Sequence, residues 1–282
     1  MGIWAEGEGF QCAGGGKDTV IDTLTAGIEP MPTLYSICSV ARIEAKTLFR
    51  GWLFRILAGL VLAVLIVIGI VMYTTTGWSL WAFRAISSAI PYVNLILLNV
   101  AQAVLAVFLA SDFLRRDSKL DTTDVVYTRS MTNWEYVAGK TAGILFVFLV
   151  LNVAVLLVAA VFNIFFADVP FMPVPYLVYP LIISLPTLVF ILGLSFLLIM
   201  LIRNQAVTFI IILGYIGVIL FYLGGRLHQL PDYTAWRLPL LYSDFTGYAN
   251  LGQILIHRGI YLLLGLGFIF LTAVMIKRLP QS

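Results

Sequence analysis

The sequence predicts an all-α polytopic membrane protein: a bundle of six transmembrane helices preceded by an N-terminal interfacial amphipathic helix. Three observations carry that expectation. Six stretches (56–83, 85–111, 141–167, 169–202, 204–225 and 259–276) hold no charged residue and together fill more than half of the 282 residues. Each is long enough for the roughly 20-residue helix that crosses about 30 Å of hydrocarbon, and a charge at that depth is costly. The composition is 61% hydrophobic and 11% charged, against about 25% charged in soluble domains. The runs are apolar all round, whereas the strands of a membrane barrel alternate with period two.

Residues 1–30 read as a separate, disordered tail, and 31–282 as one transmembrane domain. The tail holds Glu6, Glu8, Asp18, Asp22 and Glu29 with only Lys17 in balance, and it has no periodicity. It lacks the apolar core of a signal peptide, and Met31 is an alternative start. Its GGGKDT run is not a P-loop: Asp18 stands where Ser or Thr is required, and Gln11 stands at the first glycine position. Cys12 and Cys38 give no disulfide framework.

Residues 33–50 predict an amphipathic helix. Leu34, Ile37, Cys38, Ala41, Ala45 and Leu48 share one side, while Arg42, Lys46 and Arg50 form an i, i+4 basic stripe, with Glu44 between them. Two readings follow: a helix lying in the membrane interface, or a cytoplasmic extension of the first span. The spans are then placed at about 54–73, 92–111, 141–166, 180–202, 206–224 and 259–276. The fourth start is blurred by Pro175, Pro180 and Pro186.

Charge orients them. On the side of the N-terminus lie Arg42, Lys46, Arg50, Arg55, Arg115, Arg116, Lys119, Arg129, Lys140, Arg203, Lys277 and Arg278; the other side holds Arg84, Arg226, Arg237 and Arg258. The positive-inside rule places both termini in the cytoplasm.

Loop 112–140 is the most charge-dense segment, with acids and bases in balance. That balance suits a protein-docking surface better than a lipid-binding patch, with Tyr127, Trp134 and Tyr136 as anchors. Asp121 or Thr122 can cap a helix there, and Thr132 opens a T-x-x-E capping box with Glu135. A pair of short helices within the loop is therefore expected. The outer loop 225–258 is long and apolar, and its stretch 251–256 is too short to cross; a cap over an exit path and a structural lid are the two readings.

Several chemistries lack their residues. Glutamate occurs only at 6, 8, 29, 44 and 135, and histidine only at 228 and 257. The spans thus offer no carboxylate pair, zinc motif, nucleophile elbow or proton relay. No cofactor motif stands out, and nothing points to nucleic acid. Asn94, Asn99, Gln102 and Asn152 are too sparse for a selectivity ring and are expected to bridge helices. Two functions remain, a translocating subunit powered through its cytoplasmic face and a membrane scaffold for a cytoplasmic complex; a sodium-coupled carrier is a weaker third.

The entry segment SVARIEAKTLFRGWLFRI, the stretch FLASDFLRRDSKLDTTDVVYTRSMTNWEYVAGKTAG and the turn IRNQA give the chain a likeness to a known family. Over about residues 33–278 it resembles the ABC-2 type permeases, the membrane subunits of ATP-binding-cassette exporters. The resemblance implies a separate ABC-type ATPase subunit, a second permease unit, identical or not, and a location in the cell membrane. It implies an elbow helix at 33–50 and a coupling helix within 112–140. By position, Arg115, Arg116, Asp117, Asp121, Asp124, Arg129, Trp134 and Glu135 would face or shape the ATPase contact. The chain carries no nucleotide-binding domain of its own. The uncharged lining would suit a lipid-like or amphipathic cargo.

Overall fold

A computed structural model describes residues 32–74, 88–111, 132–166, 170–222, 232–235, 242–243, 247–248 and 250–276. The tail 1–30 and the six loop residues Arg115, Arg116, Asp117, Asp121, Asp124 and Arg129 lie outside them.

The protein is all-α, with seven helices among the described residues: α1 (Pro32–Arg50), α2 (Trp52–Thr74), α3 (Ala89–Ser111), α4 (Asn133–Phe166), α5 (Pro173–Ile202), α6 (Gln205–Tyr222) and α7 (Leu251–Met275). Helices α2 to α7 are each long and apolar enough to cross a membrane. A two-residue antiparallel ladder, β1 (Tyr242–Ser243) with β2 (Gly247–Tyr248), precedes α7. Large apolar side chains such as Leu157, Leu263 and Val274 point outwards, as they do where lipid replaces water as the solvent.

Two helices begin a full eight residues earlier than the sequence predicts. α4 starts at Asn133, eight residues before the predicted span, and runs unbroken for 34 residues. At 1.5 Å per residue it is about 50 Å long, well beyond the hydrocarbon thickness. The capping box expected at Thr132 is present, but it opens this long helix rather than a second short one. α7 starts at Leu251, so residues 251–256 are its first turns and not a separate dipping segment. The predicted spans follow the uncharged stretches, and Lys140 on α4 and Arg258 on α7 cut these first turns off from them.

The blurred start of α5 also has a structural reason. Pro173 and Pro175 sit in its first turn, where a missing N–H costs nothing. Residues Pro180–Ser184 widen into a π turn, closed by the Leu185 N–H on the Pro180 carbonyl. That turn absorbs two further prolines, Pro180 and Pro186, without ending the helix. The turn from α5 to α6 is tight. Arg203 takes a left-handed conformation (φ 56°), and the Asn204 side chain accepts from the N–H groups of Ala206 and Val207 at 3.1 and 3.4 Å.

The tightest packing uses glycine. A Cβ placed on Gly265 of α7 would lie 2.7 Å from the backbone of Val189 and Phe190 on α5, and one on Gly193 would strike the Gly265 carbonyl. Here α5 and α7 touch backbone to backbone, as small residues permit in membranes.

Candidate functional site

The described part of the predicted docking region is the start of α4. The Thr132 N–H donates to Glu135 Oε2 at 2.9 Å, and the Glu135 N–H donates to Thr132 Oγ1 at 3.2 Å. This reciprocal cap satisfies donors that a helix start leaves open. It also turns the Glu135 carboxylate into the protein, so Glu135 shapes the end of the loop instead of facing outwards. Trp134 is half exposed, its ring 6.1 Å from that of Phe270 on α7. Asn133 Nδ2 donates to the Ile276 carbonyl at 2.7 Å and so caps the end of α7. The loop therefore enters α4 at a point fixed to another helix.

The next turns of α4 hold α1. Gly139 and Gly143 are four residues apart, on one face. A Cβ on Gly139 would lie 2.7 Å from Val40 Cβ, and one on Gly143 would lie 2.6 Å from the Ala41 carbonyl oxygen. Between the glycines, Lys140 is buried with its Nζ 3.9 Å from Glu44 Oε2 and 5.2 Å from the Tyr136 ring centre. A buried ammonium needs such partners.

The apolar side of α1 is divided between protein contact and exposure. Ala45 and Leu48 are buried, but Leu34 and Cys38 are exposed, and Glu44 faces α4. The apolar assignment followed helical spacing alone, whereas contact follows the groove between Gly139 and Gly143. The stripe of Arg42, Lys46 and Arg50 is exposed, as expected.

Deeper along α4, Asn152 Nδ2 donates to Gln102 Oε1 of α3 at 2.9 Å and to the Phe148 carbonyl at 2.8 Å. Gln102 Nε2 in turn donates to Asn99 Oδ1. The Phe148 carbonyl accepts only from a donor, so it fixes the direction of the whole amide chain. The interhelical role predicted for Gln102 and Asn152 is present; Asn94 instead bonds the Ile90 carbonyl of its own helix.

A second polar cluster lies at the opposite end. Arg258, predicted in the outer loop, is on α7 and only 2% exposed. Its Nε donates to the Ile182 carbonyl at 3.0 Å, Nη1 to the Tyr233 carbonyl at 2.8 Å, and Nη2 to the Ile183 carbonyl and Thr187 Oγ1. Pro186 explains the first bond, because it has no N–H to offer Ile182 four residues back. The segment 232–235 is thereby wedged into the bundle end, with the Tyr233 ring stacked 6.3 Å from Phe190. Burial, with Tyr215 and Asp232 nearby, pushes the Tyr233 hydroxyl above its ordinary range, so it stays protonated. Asp232 Oδ1 accepts from the Thr234 N–H at 3.1 Å and its hydroxyl at 2.7 Å. Residues 232–235 are thus held against α5 and α7.

Sequence reasoning passed over the glycine pair, although Gly139-x-x-x-Gly143 is a legible small-residue spacing. The Glu44–Lys140 pair and the Arg258 clasp join residues far apart in sequence and have no local signal. No family model matches the chain, and no match emerges among curated proteins.

Proposed function

We propose that the chain is the membrane permease subunit of an ATP-driven exporter of the ABC-2 type, working with a separate ATPase subunit and a second permease unit. The observation that carries this reading is α4. It is a single 34-residue helix that begins where the charged loop ends. It is gripped by α1 through Gly139, Gly143 and Lys140, and it is bonded to α3 at Asn152. A force applied to the loop by an outside motor would reach mid-bundle through a rod without a hinge. Loop 112–131 and the exposed face of Trp134 serve as the grip, on the cytoplasmic side that the Lys and Arg distribution favours.

The test is purification in mild detergent, followed by reconstitution with whatever ATPase co-purifies. The reading expects an ATPase in the complex, and Trp134→Ala is expected to weaken its stimulation while the α-helical content stays unchanged. Repeated recovery of the chain without an ATPase would overturn the reading. A bound ATPase that turns over while moving nothing would make the chain a scaffold.

A further inference from the structure

The turn between α1 and α2 carries a feature that the export reading does not use. A cavity of about 250 Å³ opens there, lined by Thr47 and Leu48 of α1, Gly51 of the turn, Trp52 and Phe54 of α2, and Leu109 of α3. Its walls are mostly apolar side chains. Such a cavity does not hold water well and takes up apolar groups instead. Trp52, on its wall, is 77% exposed, so the opening faces the surroundings of the bundle and not its core.

Two arginines stand beside the cavity in sequence. Arg50 and Arg55 bracket the lining residues Gly51 to Phe54 in sequence and are both exposed. Arg55 is not free to swing away, because its Nε donates to the Phe49 carbonyl at 2.8 Å, which holds the guanidinium over the turn. Glu44 is the only carboxylate between residues 32 and 74, and it faces Lys140 of α4. Nothing acidic on α1 or α2 therefore competes for the two arginines.

We propose that this turn is a binding site for one anionic glycerophospholipid, with an acyl chain in the cavity and the phosphate against Arg50 and Arg55. The apolar walls account for the chain, the two exposed positive charges account for the preference in headgroup, and Gly51 leaves the turn without a side chain between them. The site stands independently of whether the chain exports anything.

Brominated lipids test it, because bromine quenches tryptophan only at close range. The protein is placed in nanodiscs of phosphatidylcholine doped with either phosphatidylglycerol or phosphatidylcholine brominated on the upper acyl chain. The Trp52 signal is isolated as the part lost in Trp52→Phe. A basic group near the membrane surface favours an anionic lipid by roughly five-fold. Brominated phosphatidylglycerol should therefore half-quench Trp52 at about a fifth, or less, of the mole fraction that brominated phosphatidylcholine needs. Arg50→Gln with Arg55→Gln should abolish that preference. The charge-matched control Arg42→Gln with Lys46→Gln, on the same helix but away from the cavity, should keep it. Equal quenching by both lipids in the unaltered protein overturns the proposal without any variant. Equal loss in both double variants also overturns it, since the preference would then be diffuse attraction to a basic helix.

Discussion

The backbone contact between α5 and α7 makes a quantitative prediction for Gly265→Ala. In a helix interior this change ordinarily stabilises by up to about 1 kcal/mol, because alanine loses less backbone freedom. At Gly265 the added methyl would lie 2.7 Å from the N and Cα of Phe190 and from the carbonyl carbon of Val189. All three are main-chain atoms, so no rotamer change relieves the clash and the helices must part. Overpacking of this kind costs about 1–3 kcal/mol, which leaves a net loss of about 0–2 kcal/mol. Gly267, two residues on, is exposed and has nothing within 4 Å of its virtual Cβ, so Gly267→Ala should gain up to about 1 kcal/mol. The two variants should then differ by about 1–3 kcal/mol, or roughly 2–5 °C in melting temperature for a chain of this size. Thermal unfolding in one detergent, followed by near-ultraviolet circular dichroism, gives the comparison. If Gly265→Ala melts at or above the temperature of Gly267→Ala, the backbone contact is wrong.

Other contacts give further predictions. Arg258→Lys keeps the charge but cannot serve four acceptors with one ammonium, so a loss of about 2 kcal/mol is expected locally. Hydrogen exchange at residues 232–235 should then rise roughly thirty-fold, while unchanged exchange would deny the clasp. A double-mutant cycle of Gln102→Leu and Asn152→Leu should give a coupling of about 0.6 kcal/mol, and at most about 1.7 kcal/mol. Lys140→Met leaves Glu44 half-buried without its ammonium and should destabilise by about 1–3 kcal/mol. Adding Glu44→Gln should restore a good part of that melting temperature, and a further fall would place Glu44 elsewhere.

The sequence makes the number and type of spans legible, because the cost of burying charge acts along every crossing and is written in composition. Where helices end is less legible. α4 and α7 begin in turns that Lys140 and Arg258 cut off from the uncharged stretches, although the Thr132–Glu135 box marks one of those starts correctly. The face of α1 is half legible: periodicity finds Ala45 and Leu48 but also selects Leu34 and Cys38, which remain exposed. Spacing alone cannot tell a face turned towards protein from one turned towards lipid, since both are apolar. The π turn and the Arg258 clasp are legible only in part. The prolines of α5 announce an irregular helix, but the partner of the freed Ile182 carbonyl comes from α7, and no local pattern points to it.

The depth of the buried polar groups bears on how such a bundle can be driven. Among the described residues, Glu135, Lys140, Asp232, His257 and Arg258 are the buried acids, bases and histidine, beside tyrosines such as Tyr179 and Tyr261. Glu135 and Lys140 lie in the first turns of α4 and His257 and Arg258 in the second turn of α7, while Asp232 lies outside the helices. The middle of α3 and α4 holds the amides Asn99, Gln102 and Asn152, which neither gain nor lose protons at ordinary pH. A proton relay across the bundle would need Asp, Glu or His at intermediate depth, and the described helices place their buried acids, bases and histidine near the ends. If the chain transports as proposed, free energy enters at an end and reaches the middle as movement. In reconstituted vesicles, export should then depend on ATP and persist when a protonophore collapses the pH gradient. Export that stops with the gradient while ATP is still hydrolysed would contradict this account and require a proton path that these helices do not supply.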